Sequence, residues 1–278
     1  MIEVDALPLT TGDAGDVGDT AAASKRMRLR RLPITLYLGG ALVTAFVAVA
    51  LLSFVWTPYP PNELHLTNRL APPGTPGFLL GTDRAGRDVV TELMLGARNS
   101  LYVSVVSTIV ALITGAAIGL AIAGTAGSVR GPLTRFVDAG LALPGILIAL
   151  VLAAKLGPGI RTATLAIIIW QIPVAARVTI GPARQILALD FVEAAYGYGR
   201  SRRYVLVRHV LPNISPLLIV LGSVMLAAAI LIEAALAFLG VGVQPPASSW
   251  GRFLSETQSL LDAAPYLMFF PGVATASC

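Results

Sequence analysis

A chain of 278 residues that is 55% hydrophobic and 13% charged, with a mean hydropathy of +0.77, excludes a soluble globule. The net charge of +5 resides largely in short connectors between apolar runs, where it reports membrane orientation, so nucleic acid is excluded as a partner. The single cysteine, Cys278, excludes an intrachain disulfide, and with only His65 and His209 beside it there is no metal-ligand spacing. The class is all-α, a polytopic helical membrane protein.

Residues 1–24 are rich in Gly, Ala, Thr and Asp and predict a disordered tail, placed in the cytoplasm. Lys25 to Arg31 concentrate five positive charges before the apolar run Pro33 to Trp56, and so place the N-terminus inside. Basic residues ahead of an apolar stretch, with Ala48-x-Ala50, also resemble a cleavable signal. The stretch continues through Leu51, Leu52 and Phe54, long enough to span, so 25–56 is read as a retained basic anchor and first helix. Residues 57–97 form a long extracytoplasmic loop, with Gly81 to Asp88 turning into an amphipathic segment expected to lie on the membrane.

The remainder, 98–278, holds apolar spans at about 101–126, 137–154, 163–180 and 216–240. Gly115, Ala116, Gly119 and Ala227 to Ala229 supply small surfaces for close helix packing. Five full spans are therefore expected. An incomplete sixth follows at 265–278, too short to cross, and its last segment is expected to be frayed or partly inserted. In this orientation the inside connectors hold twelve basic residues against seven outside, over longer loops.

Between two of these spans, at 186–213, lies a basic island that carries more than a connector needs. Asp190 and Glu193 predict a helix start, the aspartate as cap and the glutamate reaching back. Phe191, Ala195 and Tyr198 then share one face, which Gly197 or Gly199 ends. Ser201 caps a second short helix with Tyr204, Val207 and Leu211 on one face, and Pro212 is expected to break it ahead of the next span. Two short helices with a glycine bend suit a partner's groove.

Glu193-Ala194-Ala195, Gly199 and Leu211-Pro212 stand at the spacing of the EAA loop, and the chain resembles permease subunits of bacterial ATP-binding-cassette importers. His209 departs from the general pattern, which has isoleucine there, but His209 to Asn213 reads as the peptide-importer branch does. The resemblance runs from about Leu79 to Gly272. It includes Gly81-Thr82-Asp83, Gly86-Arg87-Asp88, the G-P-G of Gly157 to Gly159, and Gly240 to Gly251 with its Q-P-P and Ser249-Trp250-Gly251. It implies a type I importer permease fold, and the C-type permease of dipeptide and oligopeptide importers is the nearest branch. A nickel or other small-solute importer of the same branch, and a passive channel or secondary transporter, stay open.

The resemblance implies ATPase coupling through Glu193, Ala194, Ala195, Tyr198, Gly199, His209, Leu211 and Pro212, with Glu193 read either as a contact to an ATPase arginine or as a capping-box residue. It also implies contact of the binding protein with Asp83, Arg87, Asp88, Gln244 and Trp250. Ionisable and polar residues within spans, Glu233, Asp138, Trp170 and Gln171, are pathway or inter-helix candidates. The chain has only Lys25 and Lys155, so no phosphate-binding G-x-x-x-x-G-K-[ST] occurs and ATP with Mg is assigned to partner subunits. The implied partners are a second permease, two ATPases, an extracytoplasmic binding protein, a peptide and the bilayer of the bacterial inner membrane.

Overall fold

Apolar sequence in lipid must satisfy its backbone internally, and the apolar segments of the described chain do so as helices. The computed structural model describes residues 34–125, 127–261 and 264–276, with side chains from Tyr37 onward. The predicted tail, the basic run Lys25 to Arg31 and Cys278 lie outside these residues. The chain divides into two units, Met1–Ala41 and Leu42–Cys278. The described end of the first is helical, the opening of α1 (Ile34–Leu52). The second holds the rest.

Residues 57–88 fold on themselves. His65 packs edge-on to Tyr59 and Phe78, at 4.9 and 5.0 Å between ring centroids. The Asp83 backbone N–H donates to Arg87 O. Asp88 then caps α2 (Val89–Ala123), accepting from the backbone N–H and the hydroxyl of Thr91, both at 2.8 Å. The helix therefore starts well before the expected span at 101. The segment expected to lie on the membrane is the first part of one 35-residue helix.

The expected span at 137–154 is instead two helices, α3 (Gly127–Leu141) and α4 (Gly145–Leu156), bent by 79°. Pro144 causes the break: it has no N–H to donate and it keeps Leu143 out of the helical region. α5 (Ile160–Leu187) carries on past the expected end at 180. It crosses α2 where Gly115 and Gly119 leave no room for a side chain. A Cβ on Gly115 would stand 2.6 Å from Ala175 Cβ and from the Ile172 carbonyl.

After the short helices α6 (Asp190–Gly197) and α7 (Arg202–Val205), a π-helical turn over Leu206–Val210 leads into α8 (Leu211–Phe238). Pro212 does not break this path. It sits in the first turn of α8, directly after the widened turn where Leu211 N–H reaches back to Leu206 O, so Arg202–Phe238 is one apolar helical run of 37 residues. α9 (Trp250–Thr257) and α10 (Tyr266–Ala276) complete the second unit. Far from frayed, α10 buries Leu267 fully beside Val89, Phe253 and Ala264.

Three described helices are long and apolar enough to cross a membrane, or four if the bent pair is one span. Tyr37–Leu52 and α10 are apolar but shorter. The all-α fold stands, while the count of five full spans is not what these helices give. The packed centre is α2 lying along α5, with α8 against both.

Candidate functional site

The hairpin of α6 and α7 has two faces with different tasks. Val192, Val205 and Val210 are fully buried and pack with Ala116, Leu120 and Ala123 of α2, Ala183 of α5 and Ile214 of α8. That apolar seat fixes the hairpin to all three central helices. The bend between the short helices is Gly199, at φ +73°, a left-handed conformation that needs no Cβ. Ser201 caps α7 by accepting from Tyr204 N–H at 3.3 Å.

The opposite face is exposed and chemically mixed. Glu193 and Ala194 are exposed, Tyr198 is 87% exposed, and the Glu193 carboxylate meets no hydrogen-bond or ionic partner among the described residues. The capping box does not form: Leu189 is the N-cap, Asp190 lies inside the first turn, and neither acid makes a side-chain cap bond. The expected faces are shifted accordingly. Phe191 and Tyr204 are exposed and flank His209 edge-on, at 6.0 and 5.6 Å, while Arg200 lies 5.0 Å over the Tyr204 ring.

At the far end of the bundle, Glu233 of α8 is fully buried and accepts from Ser100 Oγ of α2 at 2.6 Å. Trp250 is also buried. Its indole N–H donates to Leu93 O at 2.9 Å, and its ring packs on Phe46 at 5.2 Å between centroids. Asn99 Nδ2 donates to Ser248 O at 2.6 Å.

Beside this lies an ionic knot. Arg87 bonds Asp83 at 2.7 Å and Glu256 at 3.1 Å, and stands 3.6 Å from Glu92; Arg252 in turn pairs with Glu256. Burial works against the Arg87 charge, yet the carboxylates of Glu92, Asp83 and Glu256 outweigh it and raise its pKa. The first turns of α2, the loop before them and α9 are thereby held together.

A family described as "Binding-protein-dependent transport system inner membrane component" matches residues 94–278. The chain is 37% identical over 243 residues to the di/tripeptide transport system permease protein DppC of Pseudomonas aeruginosa, covering 85% of this chain and 80% of that one. It is 34% identical over 251 residues to the dipeptide transport system permease protein DppC of Alkalihalophilus pseudofirmus, covering 90% and 81%. The chain belongs to this family of inner-membrane transport components. A solved structure of the MetNI methionine ABC transporter in an inward-facing conformation shares the fold, with a TM-score of 0.56 at 16% identity over 65% of this chain and 86% of that one.

This protein is thus a permease component of a binding-protein-dependent transport system, a multi-pass inner-membrane subunit. Within the permease the residues singled out from sequence fall into separate groups. Glu193, Ala194, Ala195, Tyr198, Gly199, His209, Leu211 and Pro212 all lie on the hairpin and its exit into α8. Asp83 and Asp88 are buried and bonded within their own loop, and Gln244 Nε2 donates to Gly240 O at 2.9 Å, stapling its turn.

Gln171, buried, donates from Nε2 to Met225 O at 2.8 Å, joining α5 to α8, and Trp170 covers Gly145 at the bend. Asp138 is half-exposed and pairs with Arg177 at 3.0 Å, tying α3 to α5. These polar candidates have separate partners: Glu233 meets Ser100, Gln171 meets Met225 and Asp138 meets Arg177. Sequence reasoning missed the seat residues Val192, Val205 and Val210, and it missed Ser100 as the partner of Glu233. Residue type alone does not mark this face, since Val207 in the same stretch is 56% exposed; the buried valines are told apart by their contacts with α2, α5 and α8.

Proposed function

We propose that the permease imports dipeptides and oligopeptides handed over by an extracytoplasmic substrate-binding protein, in a complex with a second permease and two ATPase subunits that hold the ATP and Mg. Peptide is the substrate class because relatives at 34–37% identity are named for dipeptide and di/tripeptide transport. Coupling is assigned to the exposed face of the 190–212 hairpin, seated in an ATPase groove on the cytoplasmic side, and the N-terminus is placed on that side as well. The single observation that carries this reading is an exposed Glu193 carboxylate, unpaired among the described residues, on a hairpin whose other face is packed against α2, α5 and α8. A charge-assisted bond from an ATPase arginine to Glu193 has a rigid anchor to pull against.

In this scheme nucleotide-driven closure of the ATPases displaces the hairpin, and the displacement passes through Val192, Val205 and Val210 into the helices that frame the pathway. Nothing covalent happens in the permease itself. The deciding measurement is peptide uptake and peptide-stimulated ATP hydrolysis by the reconstituted complex carrying Glu193→Ala. Losing one charge-assisted contact of about 1.5–3 kcal/mol should cut both by roughly 10-fold or more while expression stays normal. Uptake and assembly unchanged by the substitution would remove the coupling role.

A further inference from the structure

We propose that the permease holds an anionic phospholipid in a groove between α2 and the start of α8, with its acyl chain on the apolar floor and its headgroup phosphate at Arg202 and Arg203. The groove has a volume of about 750 Å³ and is walled by Leu112, Ile113, Ala116, Leu120, Leu206 and Leu218. Its polar lining comes only from one end, where Thr125, Arg202 and Arg203 stand. An apolar trough closed at one end by two cations matches an amphiphile with a negative head.

The charge at that end is not balanced from within. Arg202 donates only to the Ala121 carbonyl, at 3.5 Å, and Arg203 has no acidic partner among the described residues. A second cavity of about 330 Å³ shares Thr125 with the groove and is lined also by Gly124, Arg130 and Arg184. Arg130 Nε is enclosed there with no acceptor. No acidic side chain lines either cavity. Four arginines thus line the two cavities at the end of α2, with no carboxylate among the described residues lining them, beside the apolar walls of the groove. A protein helix laid in the groove would cover the apolar walls but leave these guanidinium groups to be neutralised by something else.

The inference rests on the proposed coupling reading only in assigning the lipid to the cytoplasmic leaflet, and its test does not depend on nucleotide. The complex is extracted in mild detergent, offered phosphatidylglycerol or phosphatidylcholine, and examined by native mass spectrometry. Phosphatidylglycerol should be retained in preference to phosphatidylcholine, and the preference should fall roughly fivefold for each arginine removed in Arg203→Gln and Arg202→Gln/Arg203→Gln. Because Arg202 also braces the end of α2, Ala117→Phe provides a second arm: it fills the groove from an exposed position and should displace the lipid with the arginines intact. Equal retention of both lipids, or a cross-link from the Ala117 wall to the second permease in place of lipid, would overturn the proposal. Glu193→Ala should leave retention untouched, which separates this result from the fate of the coupling reading.

Discussion

Glu193 and Glu233 show how one residue type serves opposite ends of a permease. The first is exposed and unpaired among the described residues; the second is fully buried and bound to Ser100 at 2.6 Å. Removing the buried one should therefore cost folding and removing the exposed one should cost coupling. Glu233→Ala leaves the Ser100 hydroxyl without its acceptor and opens a cavity. It should lower the stability of the detergent-solubilised complex by about 2–4 kcal/mol, read as a fall in thermal midpoint, while Glu233→Gln keeps an acceptor and should lose less than half as much. At the start of α2, Asp88 accepts two bonds from Thr91, and Asp88→Ala should cost about 1 kcal/mol by the same measurement. A Glu233→Ala complex as stable as the parent would show that the Ser100 contact does not hold the helices.

What the sequence made legible at this scale was position more than surroundings. Glu193, Gly199 and Ser201 were found because charge, left-handed backbone and capping each leave a local mark. Asp83 and Asp88 looked like surface charges, but their bonds to Arg87 and Thr91 turn them inward. That depends on a fold within residues 57–88 that no periodic pattern announces.

Among the elements, helix type was legible and helix limits were not. Hydropathy marks where lipid requires apolar side chains, whereas α2 begins at Val89 because Asp88 caps it, some twelve residues before the apolar run at 101. Likewise α3 and α4 read as one span by composition, and Pro144 divides them. Pro212 misled in the other direction, since a proline in a first turn after a widened turn forfeits no helical bond. The small residues of α2 were read correctly as packing surface, and their partner was α5. Gly115→Leu should force α2 and α5 apart, costing roughly 1–3 kcal/mol and reducing the yield of assembled complex. A leucine tolerated there at full yield and unchanged thermal midpoint would mean that the crossing is looser than the 2.6 Å approach requires.

Across the whole molecule, the two ends of the bundle are built differently. One end is knotted by Arg87, Asp83, Glu92, Glu256 and Arg252, and by Trp250 on Leu93. The other end offers a hairpin seated on valines and flanked by arginines that meet no carboxylate among the described residues. The positive excess predicts that the hairpin end faces the cytoplasm. A Tyr198→Cys variant, made with Cys278 replaced by serine, puts a thiol where the native side chain is 87% exposed. It should react with a membrane-impermeant maleimide in inside-out vesicles stripped of the ATPase subunits that the proposed function seats over this face, and stay unlabelled in intact spheroplasts; labelling of intact spheroplasts would invert the topology.

The run from Arg202 to Phe238 has a mechanical corollary. The hairpin's second arm and the Glu233 anchor belong to one helical run, about 46 Å apart at 1.5 Å per residue, so a tilt of the run as a whole moves both. A lean of about ten degrees at the base would sweep the anchor by roughly 8 Å, far beyond the reach of its bond to Ser100. Under the proposed coupling, the stroke would therefore be either a slide along the run's own axis or a lean that carries α2 with it, so that both surfaces of the bilayer would register a single push together.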